Sequence, residues 1–168
     1  MYIRIGRGFE PAVYPSADYD FAIGHSIEMC PGTDVTAIAC GATVYHAVEA
    51  AKVLAEQDGL SVRVINMHTL KPIDREAILR AVEDTRRIIT FEDHNIIGGL
   101  GGAVAEVIAE NGKGCAFRRV GLPDEYSLIG YPEDIMTHYG IDTDGVIQNV
   151  RELLHVEFEE DDDWEDEV

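Results

Sequence analysis

One stretch, residues 87–110 (RIITFEDHNIIGGLGGAVAEVIAE), constrains the fold more than any other. It opens with a β-branched run, Ile88-Ile89-Thr90-Phe91, the pattern of a strand buried on both faces. A polar tip follows, Glu92, Asp93, His94 and Asn95, and then a glycine cluster, Gly98-Gly99-Leu100-Gly101-Gly102. Val104, Val107 and Ile108 beyond it keep helical spacing. Strand, tight glycine loop and helix start make half of a βαβ unit. Ligands of open α/β sheets collect at such strand ends, so chemistry is sought here first.

Glycines allow close backbone approach, and the free N–H groups of a helix start favour anions. The dinucleotide pattern G-x-G-x-x-G is not met, because Val104 stands where a third glycine belongs. Two readings of Gly98, Gly99 and Gly101 follow. In one they let the helix pack tightly on the sheet or on a neighbouring protomer; in the other they form a small-anion site. Glu92 and His94, alternating at the strand end, are either an acid/base pair or a hydrogen-bonded interface pair.

The rest of the chain repeats the alternation of strand and helix. Residues 35–40 (VTAIAC) form a continuous apolar strand ending at Gly41, and Thr43 is placed to cap the helix carrying Val44, Ala47, Val48, Ala51 and Leu54. Residues 62–67 are the next strand, and Asp74 caps a helix with Ile78, Leu79 and Val82 inside. Residues 116–120 read as a strand, Pro132 opens a short helix, and Asp142 or Thr143 caps a last one. Residues 2–7 read as a short strand carrying Arg4 and Arg7, residues 8–20 as a linker, and residues 19–28 as leading into an edge strand. The architecture expected is a three-layer α/β/α domain with a mostly parallel, twisted sheet.

The charge excludes some partners. The 168 residues carry 32 acids against 13 bases, a net charge of −19, and a surface so acidic repels nucleic acid and anionic lipid. Nine of the acids lie in residues 157–168, read as a disordered acidic tail. Only three bases are lysines, which suits a highly hydrated, salt-adapted surface. No run approaches the ~20 apolar residues of a membrane span, and the first residues lack a signal-peptide layout. Cys30, Cys40 and Cys115 lie far apart, which fits a reducing cytoplasm. No Walker loop, HExxH, GxSxG or clustered metal-ligand spacing occurs, so no catalytic or metal-binding residue is assigned. His25, His46, His68, His138 and His155 are read as structural or surface residues. Arg4 and Arg7 are the basic pair at a strand end; a phosphate fork or salt bridges to the acidic surface account for them equally well.

Three spaced segments resemble a known family. Residues 34–41 (DVTAIACG), residues 64–74 (VINMHTLKPID), and residues 89–94 (ITFEDH) before Gly98-Gly99-Leu100-Gly101 are similar, in that order, to motifs of the transketolase C-terminal domain. The resemblance runs from about residue 2 to residue 154. It implies the end of a preceding pyrimidine-binding domain and linker at residues 1–18, the C-terminal domain at 19–156, and the tail at 157–168. It also implies a thiamine-diphosphate enzyme transferring a two-carbon ketol unit between sugar phosphates. The cofactor and its Mg2+ are bound by domains outside this chain, so the chain is inactive alone and has a dimerisation or assembly role. By the same resemblance Arg4 contacts the substrate phosphate in the complete enzyme, with Arg7 as a neighbour. Glu92, His94, Gly98, Gly99 and Gly101 are interface or accessory residues, and the partners are a second copy in a homodimer and the remaining domains. Deoxyxylulose-phosphate synthases and the beta subunits of pyruvate-type dehydrogenases share this domain, and a stand-alone assembly module is the other alternative.

Overall fold

Apolar runs uninterrupted by charge become strands that must be covered on both faces, and here they are. The computed structural model describes residues 1–6 and 10–156. Its strands are β1 (Ile27–Cys30), β2 (Val35–Ala39), β3 (Val62–Asn66), β4 (Arg87–Asn95) and β5 (Ala116–Leu122). Its helices are α1 (Thr43–Asp58), α2 (Arg75–Asp84), α3 (Leu100–Asn111), α4 (Pro132–His138) and α5 (Thr143–Leu154). The sheet order is β1-β3-β2-β4-β5; β1 runs antiparallel to β3, and the other neighbours are parallel.

Side chains alternate across a strand, so each strand feeds two cores. Val35, Ala37 and Ala39 of β2 meet Val44, Ala47 and Leu54 of α1 and Val146, Val150 and Leu153 of α5. Ile38 and Ile65 point the other way, onto Ile78 and Ala81 of α2 and Leu100 and Val104 of α3. The result is the expected three layers, α1 and α5 on one face and α2 and α3 on the other. Among the described residues, no helix is long and apolar enough to cross a membrane.

Several local expectations hold. Asp74 caps α2, its Oδ1 accepting from Ala77 N at 3.0 Å, and Asp142 caps α5 by accepting from Gly145 N at 2.8 Å. Others are corrected. Residues 2–6 are not a strand: they carry no regular structure and pair with no sheet edge. Arg7 and residues 157–168, including the tail read as disordered, lie outside the described residues. Thr43 does not cap α1; the cap position is Ala42, and the Thr43 hydroxyl points into the sheet, 2.9 Å from the carbonyls of both Cys40 and Phe91. The polar tip, Glu92 to Asn95, continues β4 rather than following it, because β5 runs on beside it until Leu122 pairs with Asn95.

The strand order reverses between β2 and β4: β2 leads through α1 to β3 on one side, and β4 through α3 to β5 on the other. Open α/β sheets form a crevice at the C-terminal ends of strands at such a reversal. The end of β4 therefore sits where a site is expected.

Candidate functional site

Strand parity sets the geometry of this crevice. Ile88, Thr90 and Glu92 share the face covered by α3, and Asp93 faces the other way. Glu92 is only 1% exposed, at the foot of α3, whose cap position, Gly99, brings no side chain of its own. The Glu92 carboxylate takes that place: Oε2 accepts from Leu100 N at 2.7 Å and Oε1 from Gly101 N at 2.8 Å. A carboxylate at a helix N-terminus satisfies orphan donors and complements the dipole. The anion seat that the glycine loop offers is thus filled by the chain itself.

The glycines make room for this arrangement. A Cβ on Gly99 would collide with the Glu92 carboxylate and lie 2.7 Å from Asn95 O. One on Gly121 would come within 2.9 Å of Glu92 Cγ from the β5 side. On Gly101 it would press on Thr90 Oγ1 at 2.8 Å and on the Arg119 side chain, so this glycine lets α3 approach the sheet closely. Gly98 is different: its φ of +75° needs a left-handed backbone, with open space around it. Burial raises the Glu92 carboxyl above its ordinary range; the bonds from Gly101 and Leu100, and the charges of His94 and Arg119, pull the other way. His94 is exposed, its ring Nδ1 donating to Asn95 O at 2.9 Å.

Arg4 reaches the same strand end from 89 residues away. Nη1 donates to Asp93 Oδ1 at 2.7 Å, and Nη2 donates to Asp93 Oδ2 at 3.1 Å and to Asp93 O at 3.2 Å. The hydrogen bond to Asp93 raises the guanidinium pKa further. Gly41, at φ +63°, lies beneath: a Cβ there would stand 3.4 Å from Asp93 Oδ1. The neighbouring Cys40 thiol is pushed up to about 12, first by burial and then by the Glu92 and Asp93 charges, so it is a packed thiol and not a nucleophile at neutral pH. At the end of β3, Asn66 Nδ2 donates to the Tyr14 hydroxyl at 2.6 Å, Tyr14 stacks on Tyr19, and Phe21 lies against His68.

The structure thus gathers Arg4, Glu92, His94, Gly98, Gly99 and Gly101 around one strand end; Arg7 lies outside the described residues. Sequence reasoning missed Asp93, Gly121 and Thr43. Asp93 and Glu92 were separable by strand parity, but the partner of each lies across a loop or across the chain. Among the described residues, no group of three or more His, Cys, Asp or Glu is placed to hold a metal ion.

Comparison with known proteins places this geometry in context. The family profile for "Transketolase, C-terminal domain" matches residues 24–146. An apulose-4-phosphate transketolase subunit from Phocaeicola vulgatus is 42% identical over 154 residues, 92% of this chain and 48% of that protein. The "1-deoxy-D-xylulose-5-phosphate synthase" of Halothermothrix orenii is 38% identical over 156 residues, 90% of this chain and 24% of that protein. A solved structure described as "Split gene transketolase, inactive beta4 tetramer" superposes with a TM-score of 0.79 at 37% identity, covering 86% of this chain and 46% of the other. The chain therefore spans about half the length of the first of these relatives and of the solved chain, and a quarter of the synthase.

Proposed function

The chain belongs to the transketolase C-terminal domain family, and from that premise we propose that it is the C-terminal domain or subunit of a transketolase-like enzyme, working only when assembled with the rest. The reaction is thiamine-diphosphate-dependent transfer of a two-carbon ketol unit between sugar phosphates, in a cytoplasmic, homodimeric enzyme of pentose phosphate metabolism. The observation that carries this reading is a family match over residues 24–146 in a chain spanning 48% of a transketolase subunit.

The residues of this chain do not fit the cofactor. The first amides of α3, the natural cradle for a diphosphate, are taken by Glu92, and no metal-binding cluster lies near them among the described residues. Cofactor and Mg2+ are accordingly assigned to the domains that the relatives carry outside the matched stretch. Residues 1–18 are assigned to the end of the preceding domain and its linker, residues 19–156 to this domain, and residues 157–168 to a tail. The loop holding Gly98, Gly99 and Gly101 is assigned to a domain or subunit seam, where Glu92 and His94 are accessory residues. Arg4 is assigned to the substrate phosphate; three of the five guanidinium donors are used on Asp93, and the others remain for a ligand.

The match to a deoxyxylulose-phosphate synthase favours one second reading, in which the same domain serves that thiamine-diphosphate reaction. An assay of the purified chain with thiamine diphosphate and Mg2+ is expected to give no ketol transfer, and activity to appear when the missing domains are supplied. Transfer by the chain alone, lost on omission of the cofactor, overturns the reading; synthase activity of the assembly selects the second.

A further inference from the structure

The segment joining β5 to α4 exposes a row of large apolar side chains, as the centre of a protein interface does, and among the described residues none covers them. Within residues 126–131, Tyr126 and Ile129 are fully exposed, Tyr131 is 78% exposed and Leu128 54%. α4 follows with no fully buried residue: Met136 packs partly on the core and Ile135 is half-buried, while the apolar groups of residues 126–131 stay outside. The root of the segment is nevertheless pinned: Ile96 N donates to Leu122 O at 2.9 Å, and Asn95 Nδ2 to Pro123 O at 3.3 Å. These bonds tie it to the β4–α3 loop, where Ile97 is 63% exposed. Four large apolar side chains in six residues, two of them tyrosines, form a cluster of the kind that marks docking sites.

The surrounding charge says what docks. Asp124, Glu125, Glu133 and Asp134 flank the cluster, no lysine or arginine occurs between residues 120 and 150, and the adjoining base, Arg119, is engaged with Ile96 O at 3.0 Å. A two-fold contact between copies would bring this same acidic rim against itself. A complementary partner carries apolar pockets rimmed by lysine and arginine.

We propose that residues 124–135 are the docking surface for a domain with a basic-rimmed apolar surface, namely the part that the relatives carry in the same chain outside the matched stretch. The proposal rests on the reading that the chain works in assembly, and adds which surface and which chemistry join the parts. The probe is the portion of the Phocaeicola vulgatus relative outside its matched 154 residues, expressed separately. Sedimentation velocity and titration calorimetry follow the full chain alone and mixed with it.

The expected result is a complex that weakens as salt is raised and that Ile129→Asp or Tyr126→Asp weakens about thirtyfold. Glu56→Ala, on the exposed face of α1, is the control and leaves binding unchanged. Both docking variants change fully exposed side chains, and circular dichroism checks that they fold. Failure of the wild-type chain to bind, binding indifferent to Ile129→Asp, or self-association of the chain abolished by Ile129→Asp each overturns the proposal. Ketol transfer is read separately, on an assembly supplied with every remaining domain: its absence there, with the variant-sensitive complex retained, upholds the docking surface and counts against the functional reading instead.

Discussion

Glu92 and Gly99 depend on each other, because the carboxylate that caps α3 occupies the space a side chain at 99 would fill. Gly99→Ala should therefore cost about 3 kcal/mol, from overpacking and from α3 amides left unpaired. Gly98→Ala should cost only about 1 kcal/mol, since it strains the backbone in open space. Urea midpoints of the two variants test the difference, and equal losses would refute the cap. In a Glu92→Ala background the penalty of Gly99→Ala should shrink, a coupling expected only of groups in contact. The pH dependence has a definite sign. Because the folded pKa of Glu92 is raised, its contribution to stability is fully present below the unfolded value and is lost as pH rises through the folded one. Glu92→Gln does not titrate, so wild-type stability measured relative to this variant should fall as pH rises from about 4. A rising or flat difference would contradict the raised pKa.

Elements were legible where both faces of a strand are buried. β2 and residues 88–91 of β4 leave unbroken runs without charge, β3 one interrupted by Arg63, and α2 and α5 announce themselves by Asp74 and Asp142. The errors share a cause: the deciding partner is remote in sequence. Residues 2–6 alternate like a strand, but a strand needs a neighbour, and among the described residues they pair with no strand, Arg4 being held by its side chain on Asp93. β4 runs on through four polar residues because β5 lies beside it, which periodicity cannot reveal. Glu92 caps a helix that starts eight residues later, beyond any local capping pattern. Thr43 looked like a cap by its place before a helix, yet its hydroxyl sits between Cys40 O and Phe91 O, joining the ends of β2 and β4. Thr43→Val should cost about 1–3 kcal/mol by removing the hydroxyl donor from Cys40 O, Phe91 O keeping the Cys40 amide at 3.3 Å, and Thr43→Ser should recover most of it. Thermal melts showing serine no better than valine would assign the loss to packing of the methyl group instead.

At the scale of the whole molecule the chain spans about half of a transketolase subunit, and the proposed assembly depends on what this domain brings to the substrate. Arg4 is the residue on which this turns. Its fork on Asp93 is a half-exposed ion pair, and such pairs contribute about 0–1 kcal/mol, so the contact positions the guanidinium more than it stabilises the fold. In the assembled enzyme, Arg4→Ala should leave the melting temperature nearly unchanged and raise KM for phosphorylated donors. A charge-assisted hydrogen bond of roughly 1.5–3 kcal/mol corresponds to about ten- to a hundredfold. Arg4→Lys should recover only part of this, because an ammonium cannot hold Asp93 and a phosphate with one planar fork. An unphosphorylated ketose donor, which never uses the contact, should be affected far less. If Arg4 only braces the strand end, Arg4→Ala and Asp93→Asn should lower stability alike and reduce kcat/KM equally for both donors. Equal losses on phosphorylated and unphosphorylated donors would rule out the phosphate role.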